Sequence, residues 1–375
     1  MAFAGSAAAA MEAFAQAPFH VVVSDLRMAD MGGPEFLRKV MFHYPGSARF
    51  VLSESVDREA NAEVAELAHQ FLRKPCDHAF LKSALRRTFQ LGDRIRSGHA
   101  RELVARIGHL PSVPAIYVEI NRLLDSERAT ADNLGAAIGK DIAMTAMILK
   151  LANSAFFGQR QSVATPAGAV AILGIDLLKS LVLAHGLFSQ AGGFRLPSFR
   201  LDHLWRHSVA VASAAKQIAE LEGLSRSAAA EHFTAGLLHD VGILVLASRF
   251  PEEYGRILET QRSAGCDLET AEFHLLGATH GEVGGYLLGL WGLPGSVVQA
   301  AAFHHSPALQ ETTAFSPALS VHIADSLLVD DPEHELFSTA RLDRGYLDRL
   351  GLGDRIPAWR LNIEPDPAGL QEGFF

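Results

Sequence analysis

The chain has 375 residues, of which 49% are hydrophobic and 20% charged, and this size and composition allow two or three domains with buried cores. A formal net charge of −9 with no basic cluster argues against a nucleic-acid-binding surface. The sequence shows neither a secretory signal nor an unbroken apolar run of membrane-spanning length, so we expect a cytoplasmic protein with no membrane contact. Two cysteines, Cys76 and Cys266, are too few for a disulfide framework.

The first 96 residues alternate short apolar runs with amphipathic segments. In chain order they read FHVVVSD, PEFLRKVMFHY, ARFVLSES, an Ala/Glu-rich segment, and HQFLRKP. Continuous β-branched runs separated by helical patterns predict a parallel α/β sheet that is covered on both faces. An Arg- and Leu-rich helix is predicted over residues 79 to 106, where it would link two domains.

From Leu110 onward the pattern changes to helical segments separated by Gly, Pro or Asn, which predicts a nearly all-α domain. The tail from Pro357 has few periodic apolar residues, and we expect it to be irregular. The predicted organisation is an α/β domain over 1–90, a linker helix over 91–108, a helical domain over 109–330 and a C-terminal extension over 331–375.

Three polar residues fall at the ends of predicted strands: Asp25 after VVV, Ser53 in FVLS, and Lys74 after FLR. Carboxyl ends of parallel strands converge on one crevice, so these side chains should lie close together. The arrangement resembles the receiver domain of response regulators, a flavodoxin-like fold. The resemblance implies that Asp25 is the phosphoacceptor, that Ser53 is the switch hydroxyl, and that Lys74 pairs with the phosphoryl group.

One part of the receiver pattern is missing. Receivers begin with a strand that ends in two acidic residues holding Mg²⁺, whereas this chain starts at what looks like the second strand, MAFAG. Without those carboxylates the Mg²⁺ site is incomplete, and phosphotransfer to Asp25 should be severely slowed. Two explanations remain open: a chain shortened at its start, or a domain that persists as an inactive scaffold.

The helical domain contains several His and Asp residues in apolar surroundings. His207 lies in LDHLWRHSVA, His239 and Asp240 in LLHDVG, and His280 in GATHGE, and the set continues with His304, His305 and Asp325. Imidazole and carboxylate in this number could hold one or two transition-metal ions. A buried hydrogen-bonded network without metal is the alternative for His207, His239 and Asp325.

The order of these residues resembles the HD superfamily of metal-dependent phosphohydrolases. By position, the resemblance assigns His207, His239, Asp240 and Asp325 to one metal ion. It assigns His280, His304 and His305 to a second, with Asp240 bridging the two ions. The implied cofactor is Fe, Mn or Zn.

A longer resemblance is to the HDOD domain, the HD-related output domain of bacterial signalling proteins. It rests on LPSVP at Leu110, IGKDIAMTAMILKLANSAFFG from Ile138, VATPAGAVAILGIDLLKSLVL from Val163, and WGLP at Trp291 followed by the His304–His305 pair. HDOD domains are regarded as regulatory modules, so the resemblance implies a response regulator that acts by binding signalling proteins. The linker helix suggests a homodimer.

Two features separate this chain from the cyclic di-GMP phosphodiesterases among HD proteins. Those enzymes carry a Lys where Ile243 stands here, and a Gly-Tyr-Pro signature where this chain has HHSPALQETT. The missing cation weakens any pairing with phosphate. We therefore expect binding of a partner protein, with a metal-dependent phosphodiesterase and a cyclic-nucleotide receptor as the alternatives.

Overall fold

The computed structural model describes two compact units. One lies within Met1–Ala115 together with Tyr286–Leu293, and the other within Ile116–Gly285 together with Pro294–Phe375. The residues that the structure describes are 2–28, 31–53, 67–74, 76, 79, 81–82, 85, 103–104, 114–124, 129–152, 163–191, 196, 199–310, 314–328 and 341–363.

The N-terminal unit is a parallel α/β structure, as predicted. Its elements are α1 (Ala7–Gln16), β1 (Val21–Asp25), α2 (Gly33–His43), β2 (Ala48–Ser53) and β3 (Gln70–Arg73). The strands lie in the order β1-β2-β3, and both pairings are parallel. Asp25 pairs with Leu52, and Ser53 pairs with Arg73, so the carboxyl ends of the three strands meet at one edge of the sheet.

Packing of one face of each helix holds this unit together. Phe14 of α1 and Phe36, Leu37 and Val40 of α2 are buried with Val51 of β2 in one apolar cluster. The expectation that MAFAG forms a strand is wrong, because residues 2–5 are not extended into the sheet and Ser6 instead caps α1 through the Ala9 amide. A strand needs a hydrogen-bonding neighbour, whereas a Ser followed by an Ala run favours a helix start.

The second unit is helical throughout its described residues, as predicted. Its helices are α3 (Ala115–Leu124), α4 (Ala131–Ile138), α5 (Ile142–Ala152), α6 (Pro166–Leu173), α7 (Ile175–Ala191), α8 (Leu201–Leu221), α9 (Arg226–Leu238), α10 (Val241–Arg249), α11 (Pro251–Ala264), α12 (Leu268–Leu276), α13 (His280–Leu290), α14 (Gly295–Phe303), α15 (Pro317–Leu328), α16 (Arg344–Arg349) and α17 (Ile356–Asn362).

The segment VATPAGAVAILGIDLLKSLVL forms the helix pair α6 and α7. Thr165 caps α6 through the Gly168 amide, Pro166 occupies the first turn, and Gly174 separates the two helices with a φ of 80°. That φ is one that residues with a Cβ rarely adopt, so glycine suits the junction. The predicted linker helix over 91–108 and the NSAFFG segment lie outside the described residues, apart from Leu103 and Val104.

The tail was expected to be irregular from Pro357, but the structure shows a helix that reaches Asn362. The helix α17 continues from Ile356 through Pro357 to Asn362, because proline is well accommodated in a first helical turn. Trp359 is fully buried in the main apolar core beside residues of α8 and α15, and its indole N–H donates to Glu222 at 2.8 Å. Burial of one large aromatic side chain stabilises an otherwise weakly patterned segment.

Membrane crossing was assessed from helix length and composition. Within the described ranges no single helix is long and apolar enough to span a bilayer, although two sharply bent helix pairs reach the required length together. These pairs are Pro166–Leu173 with Ile175–Ala191, and Arg226–Arg249 with Pro251–Ala264.

Candidate functional site

The strand-end crevice of the N-terminal unit brings Asp25 and Lys74 into contact. The Lys74 ammonium donates to the Asp25 carboxylate. The Lys74 side chain is 26% exposed and the Asp25 side chain is 41% exposed. Burial raises the pKa of Asp25, but hydrogen bonds from Lys74 and from the Arg27 amide hold it below its usual value. Ser53 ends the neighbouring strand, and its side chain lies outside the described residues.

The seven predicted metal ligands come from five segments of the helical unit. His207 lies within α8 and Asp325 within α15. The His239–Asp240 pair occupies the junction between α9 and α10, and His280 is the first residue of α13. His304 and His305 directly follow α14. Helix junctions present successive side chains toward one point, which a continuous helix does not do.

Two glycines let these helices approach closely enough to assemble the site. A Cβ built on Gly236 of α9 would lie 2.6 Å from the Ala212 Cα of α8, the helix that carries His207. A Cβ on Gly242 of α10 would lie 1.9 Å from the carbonyl oxygen of His280. Real Cβ atoms do not approach backbone this closely, so the absence of side chains here permits the observed helix spacing.

The first ligand group consists of His207, His239 and Asp325. Their ligand atoms all lie within 4.8 Å of one another. The Nε2 atom of His207 is 3.3 Å from Nε2 of His239 and 3.4 Å from Oδ1 of Asp325. All three residues are essentially excluded from solvent.

The second ligand group consists of Asp240, His280, His304 and His305, again with ligand atoms within 4.8 Å of one another. The Nε2 atom of His280 lies 3.4 Å from Nε2 of His304 and 3.0 Å from Nε2 of His305. His305 is partly exposed, whereas the other three residues are buried.

The carboxylate of Asp240 lies between the two groups. Its Oδ2 atom is 3.1 Å from Nε2 of His239 and 3.4 Å from Nε2 of His207. Its Oδ1 atom is 3.4 Å from the Nε2 atoms of both His280 and His304. One oxygen therefore faces each group, which is the placement required of a carboxylate that bridges two ions.

Hydrogen bonds on the far side of the imidazole rings show that the donor set fits metal ions. The Nδ1 atom of His239 lies 2.7 Å from the Gly236 carbonyl oxygen, and that of His304 lies 2.9 Å from the Ala301 carbonyl oxygen. A carbonyl only accepts, so Nδ1 carries the proton and Nε2 presents its electron pair to the site. This orientation by outer partners is typical of metal-binding histidines.

Burial and local charge shift the ionisation of the site. Burial raises the pKa of Asp240, but His239, His207 and His304 hold it well below its usual value. Burial lowers the pKa of His280, whereas the carboxylates of Glu272 and Asp240 raise it, with a net value of about 10. Burial, aided by His304 and His280, pushes the pKa of His305 well below its usual value. Asp240 therefore stays ionised although it is buried, because nearby positive charge compensates it.

Sequence reasoning missed two residues next to this site, Glu272 and Tyr254. The Glu272 carboxylate is fully buried and accepts hydrogen bonds from the backbone amide and Nδ1 of His280, both at 2.7 Å. The Tyr254 hydroxyl donates to its other oxygen at 3.1 Å. A lone carboxylate in the apolar segment AEFHLL was the available signal, because an unpaired buried charge is costly.

His322 is fully buried in the core beside the site. Its Nδ1 atom lies 2.7 Å from the His304 carbonyl oxygen, and its Nε2 accepts from the Asp343 amide at 2.9 Å. This side chain therefore joins a ligand-bearing segment to the N-cap of α16.

The helical unit therefore carries a His-Asp pair at a helix junction with five further His and Asp side chains close around it. A family model of the HDOD domain matches residues 110–307, and a model of the response regulator receiver domain matches residues 1–86. The chain therefore belongs to the HDOD domain family and carries an N-terminal receiver domain. This combination makes it a signal-transduction protein.

One known protein is similar to this chain in sequence, and one solved structure is similar to it in fold. An uncharacterized protein of Treponema pallidum (strain Nichols) is 28% identical over 209 residues, which span 55% of this chain and only 40% of that protein. The crystal structure of an HDOD domain protein of unknown function from Geobacter sulfurreducens is similar with a TM-score of 0.51 and 22% identity, and the match covers 77% of this chain and 99% of that one.

Two further structures share the fold at low identity. A candidate phosphohydrolase from Shewanella amazonensis SB2B has a TM-score of 0.54 and 21% identity over 73% of this chain and 97% of its own. A candidate signal transduction protein from Marinobacter aquaeolei VT8 has a TM-score of 0.52 and 20% identity over 87% of this chain and 79% of its own.

Proposed function

We propose that the HDOD domain of this signalling protein binds two divalent transition-metal ions and acts by binding a partner protein rather than by turning over a nucleotide. The observation that carries the metal part is the position of Asp240, with one carboxylate oxygen facing each ligand group at 3.1–3.4 Å. Imidazole-rich sites with shared carboxylates suit Fe, Mn or Zn.

Burial of the ligands supports a role without catalysis. The exposed fraction is at most 3% for each of six of the seven ligand residues, and only His305 is partly exposed. Bound ions would tie five ligand-bearing helical segments together and so stabilise the folded domain by mass action. A stabilised, metal-dependent surface is what a regulatory module needs in order to present one conformation to a partner protein.

The position of Ile243 also favours binding over hydrolysis. This side chain is fully buried at the place where the similar cyclic di-GMP phosphodiesterases carry a lysine. An isoleucine offers no charge-assisted hydrogen bond to phosphate. We therefore expect no cleavage of cyclic di-GMP even by metal-loaded protein.

A second function, metal-dependent phosphohydrolase activity, is favoured by the exposure of His305. This ligand gives the second group a side that is not fully enclosed, and a divalent ion there would supply Lewis acidity toward a phosphoryl oxygen. In this case Asp240 and the histidines would position the ions, while the substrate would enter past His305.

One experiment separates these functions. Protein reconstituted with Mn²⁺ or Fe²⁺ is analysed for metal content, melted with and without chelator, and assayed with bis-p-nitrophenyl phosphate and cyclic di-GMP. We expect two ions per chain, a lower melting temperature with chelator, and no turnover. Metal-free protein whose melting ignores added metal and chelator would overturn the metal site. Turnover that disappears in the Asp240→Asn variant would establish the enzyme, and cyclic di-GMP binding without cleavage would indicate a receptor.

A further inference from the structure

Glu272 has a hydrogen-bonding arrangement that differs from those of the other outer partners. It lies on α12, is fully buried, and directs one carboxylate oxygen at both the backbone amide and Nδ1 of His280. Its second oxygen accepts from the Tyr254 hydroxyl of α11. Three donors thus hold this carboxylate in one position relative to the His280 ring.

Local structure explains why the two donors of His280 reach the same oxygen. The α12 helix ends at Gly277, which has a φ of 77°, and α13 begins three residues later at His280. Thr279 and Glu282 bond reciprocally, with Thr279 N to Glu282 Oε2 at 3.1 Å and Glu282 N to Thr279 Oγ1 at 3.3 Å. This capping box starts the helix at His280, whose backbone N–H has no intrahelical acceptor and is satisfied by Glu272.

The other two oriented histidines have neutral partners. Nδ1 of His239 and Nδ1 of His304 face the backbone carbonyls of Gly236 and Ala301, whereas Nδ1 of His280 faces a carboxylate. A hydrogen bond to a carboxylate is about twice as strong as one to a neutral acceptor, and it increases the electron density at the ligating nitrogen. The second ligand group therefore has a charged outer partner, Glu272. The oriented imidazole of the first group, His239, faces the Gly236 carbonyl instead.

We propose that Glu272 is a positioning residue that fixes His280 as an electron-pair donor and thereby controls the affinity of the second ligand group for its metal ion. Tyr254 supports this role by holding the carboxylate from the other side. The inference rests on the proposed function, because it requires that two ions bind.

The test is a Co²⁺ titration of the full chain, in which the d–d absorption and a competing chelator give the two dissociation constants. In the Glu272→Gln variant the amide oxygen can still accept both His280 bonds while the charge is lost. We expect the affinity for one ion to fall about 10-fold, and about 100-fold in Glu272→Ala, which also loses the hydrogen bonds. The affinity for the other ion should change less than about 3-fold, because the oriented histidine of the first group, His239, keeps its hydrogen bond to the Gly236 carbonyl.

Glu259→Gln is the matched control. Glu259 lies on α11, the helix that carries Tyr254, and its side chain is exposed, and its carboxylate is not the acceptor of the His280 hydrogen bonds. This variant should keep both dissociation constants within about 3-fold, and Tyr254→Phe should weaken the same ion as Glu272→Gln by about 2- to 5-fold. Melting of the metal-free proteins reports whether each variant folds.

The outcomes separate the inference from the proposed function. Wild-type protein that binds no Co²⁺ would overturn the two-ion proposal itself. Two ions in wild-type and an unchanged titration in Glu272→Gln would overturn the role of Glu272. An equal loss of both ions, or the same loss in Glu259→Gln, would mean that general charge or stability is responsible. If Glu272→Ala does not fold, the Gln variant alone decides.

Discussion

Asp25 and Asp240 are both carboxylates in the candidate sites of this protein, and they are compensated in opposite ways. The Asp25 side chain is 41% exposed and is paired with a single lysine. The Asp240 side chain is 2% exposed and is surrounded by four histidines, with Nε2 atoms at 3.1–3.4 Å. Water helps to stabilise the first charge, whereas the groups packed around Asp240 must stabilise the second. Disruption of the two sites should therefore have very different costs.

The largest effect is expected for Asp240→Asn in metal-loaded protein. Loss of the shared carboxylate should release both ions, and the stabilisation lost is about 4 kcal/mol if free metal exceeds its dissociation constant 1,000-fold. Elemental analysis and chelator-dependent melting measure the change. Asp202→Asn, which removes a carboxylate paired with Arg200 and Arg206 on α8, should keep both ions. A metal-free network would instead lose only about 1–3 kcal/mol, with no metal dependence.

Gly242→Ala should come next, because its Cβ would lie 1.9 Å from the His280 carbonyl oxygen. We expect about 3 kcal/mol of destabilisation from the forced separation of α10 and α13, together with weakened binding of the second ion. Denaturant melts and metal content measure both. Gly255→Ala in α11 is the control, since its Cβ would meet only the Leu196 side chain at 3.4 Å. That variant should be neutral or more stable by up to about 1 kcal/mol, and equal losses in both would contradict the close-approach explanation.

A pH-dependent effect is expected from His232, a buried histidine whose neighbours include Ser320 and Phe315. Burial lowers its pKa from 6.5 to about 4. Between these values the unfolded chain binds the proton and the folded chain does not, so stability is full above pH 6.5 and falls as pH decreases. The loss from pH 7 to pH 4.5 should be about 2 kcal/mol for this group. The unfolding free energy lost between pH 7 and pH 4.5 should be larger in wild-type than in His232→Gln protein by this amount. Equal losses in the two proteins would contradict the prediction.

The smallest effect is expected at the receiver crevice. Asp25→Asn removes one partner of a part-exposed ion pair, so unfolding free energy should change by less than about 1 kcal/mol. Acetyl phosphate with Mg²⁺ should label the wild-type chain poorly if its Mg²⁺ site is incomplete. Labelling is measured by mass spectrometry. Rapid stoichiometric modification of Asp25 would show that other residues complete the Mg²⁺ site and would give the two regions comparable functional roles.

Much of the fold was predictable because periodicity and composition act locally. Strands such as VVVSD and ARFVLS contain runs of three apolar residues, and helices such as α7 carry apolar residues around most of their surface. Both patterns are therefore visible in the sequence. The tail from Pro357 and the MAFAG segment were predicted wrongly for the opposite reason. Neither has enough local pattern. Burial of Trp359 decided the outcome in the tail, and the helix start capped by Ser6 decided it after MAFAG.

The candidate site, like the fold, was predictable only in part. The identities and order of His207, His239, Asp240, His280, His304, His305 and Asp325 were present in the sequence, because ligand chemistry depends on residue type. Their convergence and the position of Asp240 between two groups depend on contacts between helices far apart in sequence. The tautomers of His239 and His304 are instead set locally, by carbonyl oxygens three residues earlier. Glu272 became relevant only when the turn at Gly277 brought its carboxylate to the start of α13. Sequence determined which groups are available, and tertiary packing decided which atoms face one another, because electrostatic and hydrogen-bonding energies depend on distances that no local pattern encodes.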